Sequence, residues 1–248
     1  MKNAWIVSFI RFPMLIIGLL VFSILFMLMG LDFQFPFLND ISPIYFTIVN
    51  IISFILLHHI LKKDSRSLKE LVDFQRERVW KDILFGFLWL FVLYIPFITA
   101  VLVTMYIMFG SDFYMHFQTV FTGNAENLNF ARPEWLLWLS AFVALIFPFL
   151  NAPIEEVMYR GYAQPIFLKH YLKIAPAIVI PSLGFALQHI MLAPSWQGAV
   201  VYFVAFFLWG VGSGIIYYKQ KRLFPLIVCH FIVNTAFSVV PIIFLISG

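Results

Sequence analysis

Charged side chains are scarce in this sequence of 248 residues, where Asp, Glu, Lys and Arg together make up 11% of the chain. An ordinary soluble domain carries about 25% charged residues. Hydrophobic residues reach 62%, and a compact fold of this length cannot hide so much apolar surface from water, which excludes a soluble globular protein. The low charge also excludes a disordered chain, and the single cysteine and 12 glycines exclude a disulfide scaffold and a collagen.

The apolar residues are collected in seven long segments, and a helix needs roughly 20 such residues to cross a bilayer. The segments are 4–30, 42–61, 83–109, 134–168, 174–191, 198–218 and 223–247. They predict an all-α fold, a polytopic transmembrane helical bundle of seven helices. An eighth crossing is the alternative, because Pro148 and Pro153 interrupt the fourth segment and it is longer than one crossing requires.

The basic residues predict how the chain is oriented, because Lys and Arg collect on the cytoplasmic side of membrane proteins. One side carries Lys2, seven basic residues between Lys62 and Lys81, and Lys169, Lys173, Lys219, Lys221 and Arg222. The opposite loops carry Asp32, Asp40, Asp112, Glu126 and Glu134 against a single base, Arg132. We therefore expect a multi-pass protein of the cell membrane with a cytoplasmic N-terminus. The basic residues form no single patch, so we expect no nucleic-acid partner.

The pattern favours one transmembrane domain over 1–248. In the polar stretch 62–82, apolar residues recur at roughly helical spacing, which predicts a helix lying on the cytoplasmic surface of the lipid bilayer. A regulatory partner site in 62–82 is the alternative.

Ionisable side chains at membrane depth need a partner, a cavity or a function, because a charge at the centre of a spanning helix costs about 2.5–3.5 kcal/mol. Three segments of the C-terminal half contain five of them: Glu155, Glu156, Arg160, His189 and His230. Arg11, near the inner end of the first helix, is expected to reach the headgroups by snorkelling, and the sequence assigns it no role.

The first cluster is Asn151-Ala152-Pro153-Ile154-Glu155-Glu156-Val157-Met158-Tyr159-Arg160-Gly161. The prolines predict a helix break that places Glu155 in the first turn of a new helix. Glu156 and Arg160 have the i, i+4 spacing of a helical ion pair, which would leave Glu155 unpaired and able to act. A structural acid–arginine cluster that fixes helix packing is the alternative.

Two further clusters add polar groups, since Phe185 with His189, and His230 with Asn234, each share one helix face. The set fits hydrolysis by an activated water. Glu155 would be the general base, and His189 would orient the water or protonate the leaving amine. His230 and Asn234 would donate to the oxyanion. Two histidines and a glutamate could also hold zinc. Because no HExxH motif occurs, we expect no metal and no other cofactor, with a zinc-dependent protease as the alternative.

The ordered motifs Glu155-Glu156-x-x-x-Arg160, Phe185-x-x-x-His189 and His230-x-x-x-Asn234 resemble the CAAX-protease and bacteriocin-processing (CPBP, or Abi) family of intramembrane proteases. The resemblance covers residues 134–245 and implies that they form a catalytic core with a polar cavity, with accessory helices in 1–110. It also implies a glutamate-type endopeptidase without a metal. It implies that Glu155 activates the water, that His189 assists it and that His230 with Asn234 forms the oxyanion site. Glu156 and Arg160 would support the architecture. The short chain with minimal loops is more similar to the bacterial branch.

We expect a membrane-bound peptide or protein as the substrate, and the sequence identifies no substrate-binding residue. A second hypothesis is a non-catalytic membrane scaffold or bacteriocin self-immunity protein that binds a membrane signalling partner. A third is a small transporter that couples protons to the buried carboxylates, although no internal repeat is present to support it.

Overall fold

The computed structural model describes residues 1–30, 41–122 and 133–247 as helices and short connections, without a strand in those ranges. In chain order the helices are α1 Lys2–Phe9, α2 Arg11–Leu28, α3 Ser42–Lys63, α4 Leu68–Val72, α5 Val79–Phe109, α6 Phe117–Thr122, α7 Glu134–Glu156, α8 Gln164–Tyr171, α9 Ile174–His189, α10 Trp196–Gln220 and α11 Phe224–Ser247. Within the described residues, six helical segments are long and apolar enough to cross a membrane, and α11 contributes a shorter apolar segment at Phe224–Val239. These helices confirm the predicted polytopic bundle, and the protein is a multi-pass membrane protein.

The order of the helices follows from their contacts. Helix α10 packs against α9 and α5, and α11 packs against α5 and α7. Helix α3 packs on α7, α2 packs on α3, and α1 packs against α9. The N-terminal helices therefore close the bundle beside α7 and α9, the two helices that carry Glu155 and His189.

The predicted outer-loop residues Asp32, Asp40, Glu126 and Arg132 lie outside the described residues. The cytoplasmic N-terminus, which rests on the contrast between these loops and the basic ones, stays a prediction.

Helices α1 and α2 follow each other with a single interruption at Ile10. Pro13 lacks the backbone N–H that would bond the carbonyl of Phe9, so one helical hydrogen bond is missing at this point. The interruption lies directly before Arg11, the first residue of α2.

The helix break predicted at Pro148 and Pro153 is wrong, because α7 continues through both prolines to Glu156. Each proline removes one backbone hydrogen bond, and the packing of α7 against α3 and α11 holds the helix together despite that loss. The helix becomes irregular only after Glu156, where a π-helix at Val157–Ala163 leads into α8. Because the whole run Glu134–Tyr171 is one helical path, it contains no reversal for an eighth crossing.

The segment 62–82 is not one surface helix. Ser67 and Glu70 form a capping box that starts α4, and Asp73 adopts a left-handed conformation with φ 49° that ends it after five residues. Leu71 is buried in the core, and Leu68 and Val72 pack against it. These three apolar residues, which suggested membrane contact, therefore pack against the protein instead.

A partly buried ion pair fixes the start of α11. Arg222 donates two hydrogen bonds to Asp82 of α5, with N–O distances of 2.5 and 2.6 Å. The pair joins α5 to the residue that precedes α11 and so sets the position of the helix that carries His230 and Asn234.

Candidate active site

Glu155 has a charged partner, contrary to the prediction of an unpaired acid. The carboxylate is 1% exposed, and its Oε1 lies 2.8 Å from Nη2 of Arg11. It also lies in the last turn of α7 and not at the start of a new helix. The charge of Glu155 is therefore compensated by a guanidinium and not by a helix N-terminus.

Arg11 is fully buried, so the prediction that it snorkels to the headgroups is wrong. Nη1 donates to Oδ1 of Asn50 at 2.7 Å, and Nη2 also donates to Oδ1 of Asn151 at 3.1 Å. Nε donates to Oε1 of Gln188. The three amides come from α3, α7 and α9, and together with Glu155 they accept from all three nitrogens of the guanidinium.

Sequence reasoning missed these four polar residues as part of the site. One signal was available, because Asn50 and Gln188 are amides inside apolar segments, where polar groups need partners. Arg11 reaches these amides only because of the way α2, α3 and α9 pack, and a single sequence does not show which faces of these helices meet.

Glu156 makes the predicted i, i+4 ion pair with Arg160, since Oε1 lies 3.2 Å from Nη1. The same Oε1 lies 2.9 Å from Nδ1 of His230 on α11. The Arg160 guanidinium is 4.5 Å from the centre of the Phe185 ring, and Nη2 donates to the carbonyl of Gly210 at 3.4 Å. Glu156 thus connects Arg160 to His230 of α11.

The His189 ring has a defined tautomer when it is neutral. Nδ1 lies 2.6 Å from the carbonyl oxygen of Phe185, and a carbonyl only accepts, so Nδ1 carries the proton and Nε2 has the lone pair. The ring stacks on Phe206 with the centroids 3.8 Å apart and contacts Phe185 at 4.4 Å. His189 therefore presents a hydrogen-bond acceptor from a fixed ring.

The Phe185 ring lies between the two histidines, with centroids 4.4 Å from His189 and 6.0 Å from His230. Nε2 of His230 is 3.7 Å from Oε2 of Glu155, which is too long for a direct hydrogen bond. The structure thus brings His189 and His230 together on one aromatic ring, with Glu155 beside His230. Asn234, one helical turn after His230, is buried on the same helix.

Six buried polar atoms of Tyr159 and the residues above have no hydrogen-bond partner among the described residues. They are Nδ2 of Asn50, Oε2 of Glu155, Oε2 of Glu156, Oη of Tyr159, Nε2 of Gln188 and Nδ2 of Asn234. Buried polar atoms without a protein partner cost free energy unless water or a ligand satisfies them. The set contains carboxylate acceptors and amide donors, which suit a water molecule and a peptide carbonyl.

The charges of the site balance. Two carboxylates, Glu155 and Glu156, face two guanidiniums, Arg11 and Arg160. Buried charges are tolerated when they are paired and hydrogen-bonded in this way. The acid–arginine cluster that the sequence left open as a structural alternative is therefore present, and Oε2 of Glu155 lies at its edge toward His230.

The side chains of this site fit a zinc ion poorly as ligands. Within the described residues, no group of three or more His, Cys, Asp or Glu side chains is placed to hold a metal ion. Glu155 accepts from Arg11, and His230 contacts Glu156 through Nδ1. A divalent cation bound to Glu155 would also lie beside the Arg11 guanidinium, and like charges at such a distance repel.

Comparison with known proteins finds one similarity, which lies in the C-terminal half of the chain. Residues 134–236 match the family model described as type II CAAX prenyl endopeptidase Rce1-like. This match confirms the predicted resemblance to the CAAX-protease family over that segment, and the bacterial branch stays a prediction. No curated protein and no solved structure matches the chain. Arg11 and Asn50 lie outside the matched residues, whereas Asn151 and Gln188 lie inside them.

Proposed function

We propose that the protein, whose residues 134–236 form an Rce1-like CAAX endopeptidase domain, hydrolyses a peptide bond of a membrane-associated protein or peptide with a water activated by Glu155. The observation that carries this proposal is that Glu155 lies beside His230 and that His230 and His189 both contact the Phe185 ring, while Oε2 of Glu155 is buried and has no partner among the described residues. A substrate that enters such a site has to partition into the bilayer.

In the proposed reaction, a water molecule donates one hydrogen bond to Oε2 of Glu155 and a second to Nε2 of His189. Glu155 takes a proton as the water oxygen attacks the carbonyl carbon, and a tetrahedral intermediate forms. The carbon–nitrogen bond then breaks as the same proton is delivered to the leaving amine. General acid–base catalysis of this kind contributes about 10²- to 10⁴-fold to the rate.

The developing oxyanion needs hydrogen-bond donors, and Asn234 supplies one, since its buried Nδ2 has no partner among the described residues. His230 supplies the second from Nε2 when both ring nitrogens carry protons. In that state two carboxylates flank the ring, Glu156 at 2.9 Å and Glu155 at 3.7 Å. Glu156 and Arg160 therefore act through His230 by holding its ring in place.

The function is tested in cells that carry either the intact gene or the His189→Ala variant. We expect the C-terminal peptides of membrane proteins to differ between the two, with at least one uncleaved protein accumulating in the variant. The ring of His189 supplies the proposed acceptor for the water, and alanine removes it.

His59→Ala is the matched control, because Nδ1 of His59 also lies 2.8 Å from the carbonyl four residues earlier, yet its side chain is exposed. This variant should process membrane proteins as the intact chain does. Identical peptides in intact and His189→Ala cells would contradict the protease and favour the scaffold or immunity protein. A scaffold of that kind would instead lose its phenotype when 62–82 is altered.

We also expect activity without a bound metal. Purified protein in detergent should cleave its substrate after dialysis against a strong chelator, and its metal content should not correlate with its rate. A farnesylated peptide with a CAAX end is the first probe, because the matched family is described as acting on CAAX prenyl proteins. Loss of cleavage on chelation, with recovery on addition of zinc, would replace the glutamate mechanism with the zinc alternative.

A further inference from the structure

Arg11 lies in the first helices of the chain, far before the matched domain, and contacts the proposed general base. We infer that Arg11 is a positioning residue of the active centre, and that α2 and α3 form part of the enzyme instead of an accessory segment. The inference rests on the proposed function, since it assigns Arg11 the task of compensating the charge of Glu155 and orienting its carboxylate.

The first step concerns charge. A carboxylate in apolar surroundings takes up a proton to avoid the cost of burying its charge, and a nearby opposite charge favours the ionised form. A general base has to be ionised before it can accept a proton from water. Arg11, at 2.8 Å, is the guanidinium that supplies this opposite charge beside Glu155, whereas Arg160 pairs with Glu156.

The second step concerns which oxygen is used. Arg11 contacts Oε1 of Glu155 and leaves Oε2 without a protein partner among the described residues. Oε2 is also the oxygen that lies 3.7 Å from His230. The ion pair therefore fixes the carboxylate with one oxygen held by the protein and the other directed toward the histidine.

The third step concerns the amides around Arg11. A planar guanidinium that donates to Asn50, Asn151 and Gln188 cannot rotate without breaking several hydrogen bonds. Gln188 precedes His189 directly in the sequence, so Arg11 links the helix of the base to the helix of the histidine. Asn50 of α3 has no contact of its own with Glu155 among the hydrogen bonds of the described residues, and it acts through Arg11.

The test compares Arg11→Gln and Arg11→Lys with the intact protein, with cleavage of the farnesylated CAAX peptide, or of the protein found in the cellular comparison, as the readout. Gln removes the charge and most of the donors, so we expect kcat per folded protein to fall about 10²-fold, the loss expected when a catalytic group is misplaced by about 1 Å. KM should stay the same. Lys keeps a charge that can pair with Glu155 but cannot donate to all three amides, so its kcat should be intermediate. Arg76→Gln, at an exposed arginine, should change neither parameter.

A second readout does not depend on activity. Arg11→Gln and Glu155→Gln should each lower the thermal unfolding midpoint, because each leaves an uncompensated buried charge, and the double variant should be more stable than the two single losses predict. The role of Arg11 would be overturned if the double variant lost as much stability as the two single variants together. A wild-type kcat in folded Arg11→Gln protein would also overturn it. Cleavage by the Glu155→Gln protein at the wild-type rate would instead overturn the proposed function itself.

Discussion

Replacing Glu155 with Gln should abolish peptide cleavage while the protein still inserts into the membrane. The amide has nearly the shape of the carboxylate, and its oxygen can still accept from Arg11, but it cannot take a proton from water. We expect a loss of at least about 10³-fold in kcat, within the range that a general base contributes. The measurement is cleavage of the farnesylated peptide by purified protein in detergent, normalised to the folded fraction.

Glu134→Gln is the matched control, because Glu134 begins the same helix and its side chain is exposed. It should retain full activity. Because Glu155→Gln leaves Arg11 without a counter-charge, the Arg11→Gln/Glu155→Gln double variant is needed as well. Its charges balance, so it should fold and still fail to cleave. Substantial cleavage by either Glu155 variant would leave the reaction without its base.

The helical bundle could be predicted because each membrane-spanning helix corresponds to one continuous apolar segment of the sequence. Long apolar segments fix where each helix begins and ends to within a few residues, and α9 at Ile174–His189 agrees with the predicted segment 174–191. The pair Glu156 and Arg160 could be predicted for the same reason, since i, i+4 neighbours meet within a single helix.

The polar motifs were also sufficient to locate the candidate site. Glu155, His189 and His230 stood out because ionisable residues are rare and costly at membrane depth. The contacts of both histidines with Phe185 and of Glu155 with His230 depend on tertiary packing. However, such residues are so few that few other arrangements could satisfy them.

The partner of Glu155 could not be predicted. An arginine near the end of a first helix is equally compatible with snorkelling and with burial, and the choice depends on whether acceptors from other helices reach it. Here Asn50, Asn151 and Gln188 do so from three different helices. The prediction of a helix break at Pro148 and Pro153 was wrong for a related reason, because tertiary packing compensates for the lost backbone hydrogen bonds.

The closeness of α1 and α9 leads to the prediction with the second largest expected effect. A Cβ atom added at Gly184 would overlap the carbonyl oxygen of Ser8 and lie 2.7 Å from its carbonyl carbon. Both are backbone atoms, so a side-chain rotation cannot relieve the overlap and the two helices have to separate. Ser8 is three residues before Arg11, and Gly184 is four residues before Gln188.

Gly184→Ala should therefore lower stability and activity together. Overpacking typically costs about 1–3 kcal/mol and occasionally more, and we expect the upper end because backbone is displaced. The separation would also move Arg11 away from Gln188 and Glu155, so kcat should fall even in the protein that remains folded. The measurements are the thermal unfolding midpoint in detergent and the rate of peptide cleavage.

Gly18→Ala on α2 is the matched control, since a Cβ there meets only the Cβ of Tyr45 at 4.0 Å, an ordinary contact. Alanine favours a helix over glycine by up to about 1 kcal/mol, so this variant should be as stable as the intact protein or slightly more stable. Equal stability and activity in Gly184→Ala and Gly18→Ala would mean that α1 and α9 are not in backbone contact. In that case α1 would not hold Arg11 beside Glu155, and the N-terminal helices would lose their proposed place in the active centre.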